Sequence, residues 1–190
     1  MKNSVIHLFL GLSILFVQLL SAQEAKVADI LIVTASKNGS TTQIGAKIKE
    51  HLESAGFMVD TLSATPVKID LRFYHLIVIG SGIYGGVPHL VIKAFIDSNR
   101  AELLRKKVAV FAVCGKKAAK STKKRAEASG YIDSVAYGLN PVSKIVFAGK
   151  IPSYGLGNPI LRLALGAGPG DYRNWEAIKE WSNSLFTFIK

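Results

Sequence analysis

Residues 29–48 read Asp-Ile-Leu-Ile-Val-Thr-Ala-Ser-Lys-Asn-Gly-Ser-Thr-Thr-Gln-Ile-Gly-Ala-Lys-Ile. Ile30 to Val33 is a short apolar, mostly β-branched run, the pattern of a strand buried on both faces. Ser36 to Thr41 breaks the run with small and polar residues. Ile44, Ile48 and Leu52 then recur at helical spacing. Strand, hydroxyl-rich turn and helix in that order build an anion site. The turn offers backbone N–H groups and hydroxyls, and the helix N-terminus adds partial positive charge. A phosphate is the natural guest.

The rest of the chain repeats the alternation. The first helix is expected to run to Ala55, with Gly56 as its stop. Phe57 to Leu62 alternates as a second strand, and a linker holding Pro66 follows. Tyr74 to Ile79 is a third strand, ending in a glycine-rich loop, Gly80 to Gly86. Pro88 suits the first turn of the next helix, which carries Leu90, Val91, Ala94 and Phe95. Lys107 to Val113 is a fourth strand. A lysine-rich helix to Ser129 is expected after it, stopped by Gly130. Lys144 to Ala148 is the fifth strand. Pro152 to Gly170 is rich in Gly and Pro but holds a short apolar helix, Ile160 to Leu165. A final amphipathic helix is expected over Asp171 to Ile189, with Asp171 as N-cap. Strands alternating with helices predict an α/β fold, a parallel sheet with helices on both faces. Ligands of such sheets bind beyond the C-terminal strand ends. Loops after the first, third and fourth strands should therefore converge.

Composition narrows the partners. The net charge is +11, which favours an anionic ligand, an acidic partner or an anionic membrane surface. One cysteine, Cys114, excludes an intramolecular disulfide framework and a cysteine-based zinc cluster. No metal site is expected. Val5 to Leu20 is mainly apolar behind Lys2 and precedes the small residues Ser21, Ala22 and Ala25. Residues 1–25 therefore read as a signal peptide or an N-terminal membrane anchor, and 26–190 as the folded domain. The expected localisation is membrane-associated or exported, with the side of the membrane open, because Lys2 alone sets little charge bias.

The first loop is neither a Walker motif nor a dinucleotide fingerprint, since only Gly39 is present. Ser36, Ser40 and Thr41 would donate hydroxyls, and Asn38 and Gly39 backbone N–H groups, to a terminal monophosphate. Equally, Ser40 could merely cap a helix. The second loop tips the reading. Its glycines permit close approach to a flat ligand, and Tyr84 at its centre can stack on a ring.

With these residues the chain from Val27 onward resembles the flavodoxin-like proteins, which bind flavin mononucleotide (FMN). The matching positions are Ile32, Val33, Ser36, Gly39, Thr41 and Ile48. Thr34 stands where an aromatic is usual, and Gly45 where alanine is. The resemblance implies a three-layer fold with a five-stranded parallel sheet in the order 2-1-3-4-5. It implies an FMN site formed by Ser36, Lys37, Asn38, Gly39, Ser40 and Thr41, by Ser81, Gly82, Ile83, Tyr84 and Gly85, and by Val113, Cys114 and Gly115. Within that family the chain is most similar to the protoporphyrinogen-dehydrogenase-like, menaquinone-dependent branch. The likeness rests on Ser36 to Thr41, on Gly80 to Pro88, and on Gly170-Asp171-Tyr172-Arg173-Asn174-Trp175-Glu176. The extra segment Pro152 to Gly168 and the positive charge point the same way.

That branch implies a flavoprotein oxidoreductase passing electrons between a reduced substrate and an acceptor such as a quinone. A non-enzymatic electron carrier and a flavin-free binding module of the same fold are the alternatives. No residue stands out as a catalytic acid or base. His51 reads as solvated, His75 as structural and His89 as a helix N-terminal residue within reach of the site. The flavin would carry the chemistry. The basic run Lys116, Lys117, Lys120, Lys123, Lys124 and Arg125 reads as a solvated face or as a contact for anionic lipid, an acidic redox partner or substrate carboxylates. Nucleic acid is not expected, because no aromatics interleave with the run.

Overall fold

The computed structural model describes residues 28–153 and 159–189. The expected leader, 1–25, and the centre of the Gly/Pro-rich segment, 154–158, lie outside the described residues.

Five parallel strands form the main sheet. They are β1 (Ile30–Ala35), β2 (Val59–Ser63), β3 (Leu76–Tyr84), β5 (Lys107–Val113) and β6 (Ser143–Phe147), in the order β2-β1-β3-β5-β6. The short β4 (Val87–Pro88) pairs back on β3. Apart from that added hairpin strand, the expected order and fold class hold. The helices are α1 (Ser40–Ser54), α2 (Leu90–Leu103), α3 (Thr122–Gly130), α4 (Ile132–Ala136), α5 (Pro159–Leu165) and α6 (Trp175–Ser184).

Strand alternation divides the core into two layers. Ile30 and Ile32 of β1, Leu76 and Val78 of β3, and Phe111 of β5 face α1 and α6, meeting Ile44, Ile48, Ile178 and Trp181. Leu31, Val33, Ile77, Ile79 and Val110 face the other way, onto Ile92, Phe95 and Val135. Both faces of β1 and β3 are covered, which is why they read as continuous apolar runs. Each fully buried side chain of this kind contributes about 1.5–3 kcal/mol. Phe111, Phe147 and Trp181 form a triangle of ring contacts at 5.9–6.2 Å. Trp181 Nε1 donates to Ser143 Oγ at 2.9 Å, tying α6 to β6.

Thr34 and Gly45, the two departures from the family pattern, face each other. A Cβ on Gly45 would sit 2.8 Å from Thr34 Cγ2. A missing methyl on α1 makes room for the threonine on β1.

Several boundaries differ from expectation. Gly80 to Tyr84 continues β3 instead of looping, and only Gly85 and Gly86 turn the chain, at φ 62° and 89°. Pro88 belongs to β4 and pairs with Ile83. His89 is the N-cap of α2, its Nδ1 accepting from Val91 N–H at 3.4 Å. The lysine-rich stretch is not one helix: a 3₁₀ turn, Gly115–Ala118, precedes α3. The helix does end at Gly130, as expected, but Ile132–Ala136 follows at once as α4. The reversal comes at Tyr137 and Gly138, at φ 41° and 77°. Asp171 does not cap the final helix. It lies in β8 (Gly170–Asp171), paired antiparallel with β7 (Lys150–Ile151). Asn174 caps α6 instead, accepting from Ala177 N–H at 3.0 Å. Among the described residues no helix is long and apolar enough to cross a membrane.

Candidate functional site

A cavity of about 420 Å³ opens at the C-terminal ends of β1, β3, β5 and β6. That is within the usual size of small-ligand sites. One end is polar and is built by the turn between β1 and α1. Gly39 enters the left-handed region at φ 79°, and α1 begins directly after it. Ser36 Oγ accepts the Thr41 N–H at 3.3 Å, so the Ser36 proton is left to point elsewhere. Ser40 is the first helical residue and not the cap. Its Oγ accepts the Lys150 N–H at 2.8 Å, leaving its own proton as a donor. Ser40 and Thr41 are buried, yet both line the cavity with Ser36 and Asn38. The walls therefore carry hydroxyl donors at a helix N-terminus, the chemistry an anion needs.

The other end is apolar and edged by glycine. Gly82, Ile83, Tyr84 and Gly85 line one side, and Val113 and Gly115 another. Gly82 admits a ring: a Cβ there would lie 2.6 Å from Tyr84 Oη and 2.9 Å from its ring carbons. Tyr84 Oη accepts the Lys37 N–H at 2.6 Å, so the tyrosine joins the two loops. Lys37 Nζ stands 4.8 Å from the centre of the same ring.

Of the fourteen residues expected at the site, Lys37, Gly39, Ser81 and Cys114 do not line the cavity. Lys37 and Gly39 shape the turn. Ser81 is fully buried beneath, its Oγ accepting the His89 N–H at 2.9 Å and donating to Gly82 O at 3.0 Å. Cys114 is buried too, and burial raises its thiol above the usual range. The thiol is thus kept protonated, and Cys114 acts as packing. His89 does not line this cavity: its ring stands edge-on to Tyr84, centroids 6.0 Å apart, and borders a smaller cavity with Thr34, Ser36 and Ser63. His51 is not the solvated group expected: its Nε2 is buried without a hydrogen-bond partner among the described residues. His75 Nδ1 lies 3.7 Å from Asp29 Oδ1 on the surface.

Of a third wall, the sequence suggested only one part: the apolar segment Ile160 to Leu165 reads as a cover for the flavin, a membrane-dipping segment or simple packing on the sheet. Gly149, Lys150, Ile151, Pro152 and Leu165 complete the cavity. Gly149 follows β6 closely, and a Cβ there would fall 2.7 Å from Val113 Cγ1. The available signal was positional: β6 is also a parallel strand, so its following loop meets the same edge. Lys150 is the one charged residue among the described lining, and Asp171 lies opposite it in the β7–β8 pair.

The basic run divides. Lys116 bonds Glu127 and Tyr131, Lys117 bonds Ser129, Lys124 bonds Leu163 O, and Arg125 bonds Ala119 O and Lys120 O. These four hold the 3₁₀ turn, α3 and α5 together. Of the run, only Lys120 and Lys123 are exposed.

Comparison with known proteins agrees with this geometry. The model of the flavodoxin domain family matches residues 31–157. The chain belongs to the flavodoxin domain family. No curated protein matches it. Among solved structures, flavodoxin 2 from Bacillus cereus is similar at 21% identity and TM-score 0.57, over 84% of this chain and 99% of that one. A Streptococcus pneumoniae flavodoxin is similar at 17% identity and TM-score 0.51, over 83% and 97%. At these identities the likeness is one of fold. The flavodoxin match ends at 157, so α5, β8 and α6 extend beyond it.

Proposed function

We propose that this flavodoxin-family protein binds FMN in the cavity and acts as an oxidoreductase, passing electrons from a reduced substrate to a quinone-class acceptor. The single observation behind it is the union of hydroxyl donors at a helix N-terminus with an apolar, glycine-edged lining in one cavity. FMN has that division, a phosphate at one end and a tricyclic ring at the other. When bound it supplies one- and two-electron redox chemistry.

The chain's own residues do the rest. Ser36, Ser40 and Thr41 donate to the phosphate, and the N-terminus of α1 favours its charge. Gly82 to Gly85, Val113 and Gly115 bring backbone close to the ring. Ile151, Pro152 and Leu165 exclude water from the far side and offer an apolar approach to a lipid-soluble acceptor. Lys150 holds a positive charge at this wall and favours electron density arriving in the cavity.

The enzymatic reading over the electron-carrier reading draws on that third wall and on the net charge of +11. The likeness of residues 36–41, 80–88 and 170–176 to the protoporphyrinogen-dehydrogenase-like branch supports it as well. Membrane proximity belongs to the same proposal. Ile160 and Leu163 on α5 are 74% and 76% exposed; Arg162 on the same helix is exposed, as are Lys120 and Lys123 near the start of α3. An exposed apolar pair together with exposed cations suits an anionic bilayer surface.

Absorbance of the purified protein tests the cofactor: flavin bands, or their recovery on adding FMN, are expected. A colourless protein that FMN does not reconstitute refutes the proposal. Steady-state turnover with a soluble quinone and a reductant separates enzyme from carrier, since a carrier shows none.

A further inference from the structure

The tail beyond the flavodoxin match is fastened to the anion end of the cavity. Its first tie is indirect: β8 pairs with β7, which lies within the match and whose Lys150 N–H donates to Ser40 Oγ at 2.8 Å. β8 leads to the second. Arg173 follows it, and its side chain is only 9% exposed. Its Nε donates to Asp171 Oδ1 at 2.8 Å, and Nη2 donates to Oδ2. Nη1 reaches across to Gln43 Oε1, 130 residues away in the chain. The guanidinium also stacks 4.5 Å from the centre of the Trp175 ring. A fork held by a carboxylate on one side and an aromatic face on another has one place to point.

That place is the first turn of α1. Gln43 N–H closes the turn onto Gly39 O at 2.9 Å. The Gln43 side chain lies against Gly39 itself, with Nε2 3.8 Å from where a Cβ would be. Arg173 therefore grips the residue that closes the turn presenting Ser36, Ser40 and Thr41. The guanidinium holds the Asp171 carboxyl below the usual range, and Lys150 adds to that effect. The pair stays ionised at neutral pH.

We propose that Arg173 is a positioning residue for the phosphate end of the site: through Gln43 it fixes the Gly39 turn before the ligand arrives. The proposal rests on the reading of that turn as the phosphate end. Preorganised donors save the ligand the cost of ordering them. The effect must therefore be specific to the phosphate and small for the ring.

The test compares FMN with riboflavin, which has the ring and lacks the phosphate, in the full chain and in Gln43→Ala, Arg173→Lys and the double variant. Gln43 is exposed, so its variant folds even where an Arg173 variant does not. Each single variant is expected to weaken FMN about tenfold, the scale of one hydrogen bond to a charged group. Riboflavin should change less than about twofold. The double variant should be no weaker than the worse single one, as for one shared interaction. Equal loss for FMN and riboflavin, or FMN affinity unchanged in Gln43→Ala, overturns the proposal. Amide exchange in the flavin-free protein decides separately. Faster exchange at Thr41 and Gln43 in Gln43→Ala or Arg173→Lys supports the brace, and unchanged exchange overturns it. If the unaltered protein binds neither flavin, the site reading has failed while the exchange result still judges the brace.

Discussion

Two stretches frame the mouth of the cavity, and they use glycine in opposite ways. Between β1 and α1 one glycine, Gly39, turns the chain, and the residues around it supply donors. Between Ile79 and Val87 there are four glycines, yet only Gly85 and Gly86 turn the chain. Gly80 and Gly82 stay in the strand and admit rings, Phe111 over the first and Tyr84 over the second. Glycine in such a run marks either a turn or a close approach. The partner ring, not the run itself, tells which.

Gly80→Val breaks this contrast most directly. A Cβ at Gly80 falls 2.1 Å from Phe111 Cζ, so the ring has to leave the core. A loss of about 3 kcal/mol is expected, at the upper end for overpacking, read as a fall in denaturant midpoint. Stability equal to the parent would show that the ring does not need the gap. Thr41→Val addresses the donor side. It should weaken FMN binding by about 1–3 kcal/mol, as for an unmet polar group, with the flavin-free fold left intact. Unchanged affinity would remove the Ser36–Thr41 turn from the site.

Gly82→Ala should be milder, about 1–2 kcal/mol, because the Tyr84 ring has solvent to move into. Its signature is loss of the Tyr84 Oη bond to Lys37 N–H, seen as faster exchange of the Lys37 amide. Gly85→Ala should have the smallest effect. No atom stands within 4 Å of a Cβ there, so the cost is the left-handed conformation alone, about 1 kcal/mol. If Gly85→Ala proved worse than Gly80→Val in thermal melts, the roles assigned to the two halves of the run would be reversed.

Much of the fold was legible because the sheet is covered on both sides. Ile30 to Val33 and Lys107 to Val113 are apolar runs with little else to become, and β5 has the expected bounds. The polar end of the site was legible for the same reason, since hydroxyls directly after a buried strand have few purposes. The glycine run misled because strand glycines and turn glycines are identical in sequence, and Phe111 lies far along the chain. Asp171 misled because a capping residue and a strand-end carboxylate look alike until Arg173 is seen to hold it. β7 and β8 span two residues each, too few for any periodicity. The strand part of the third wall was therefore invisible as secondary structure, while Leu165 came from the expected helix; the strand-end rule applied to β6 would have located Gly149 and Lys150. The lysine run read as one charged face because sequence does not disclose that Lys116, Lys117, Lys124 and Arg125 are spent on neighbours.

The triangle of Phe111, Phe147 and Trp181 has an optical consequence. The chain has two tryptophans. Trp181 is 7% exposed among aromatic rings, whereas Trp175 is 40% exposed under the Arg173 guanidinium. Their fluorescence should separate into a blue component from the core and a red one from the tail. The blue emission would follow melting of the sheet. The red emission would follow release of the tail from α1, so one unlabelled sample distinguishes a loosened brace from an unfolded domain.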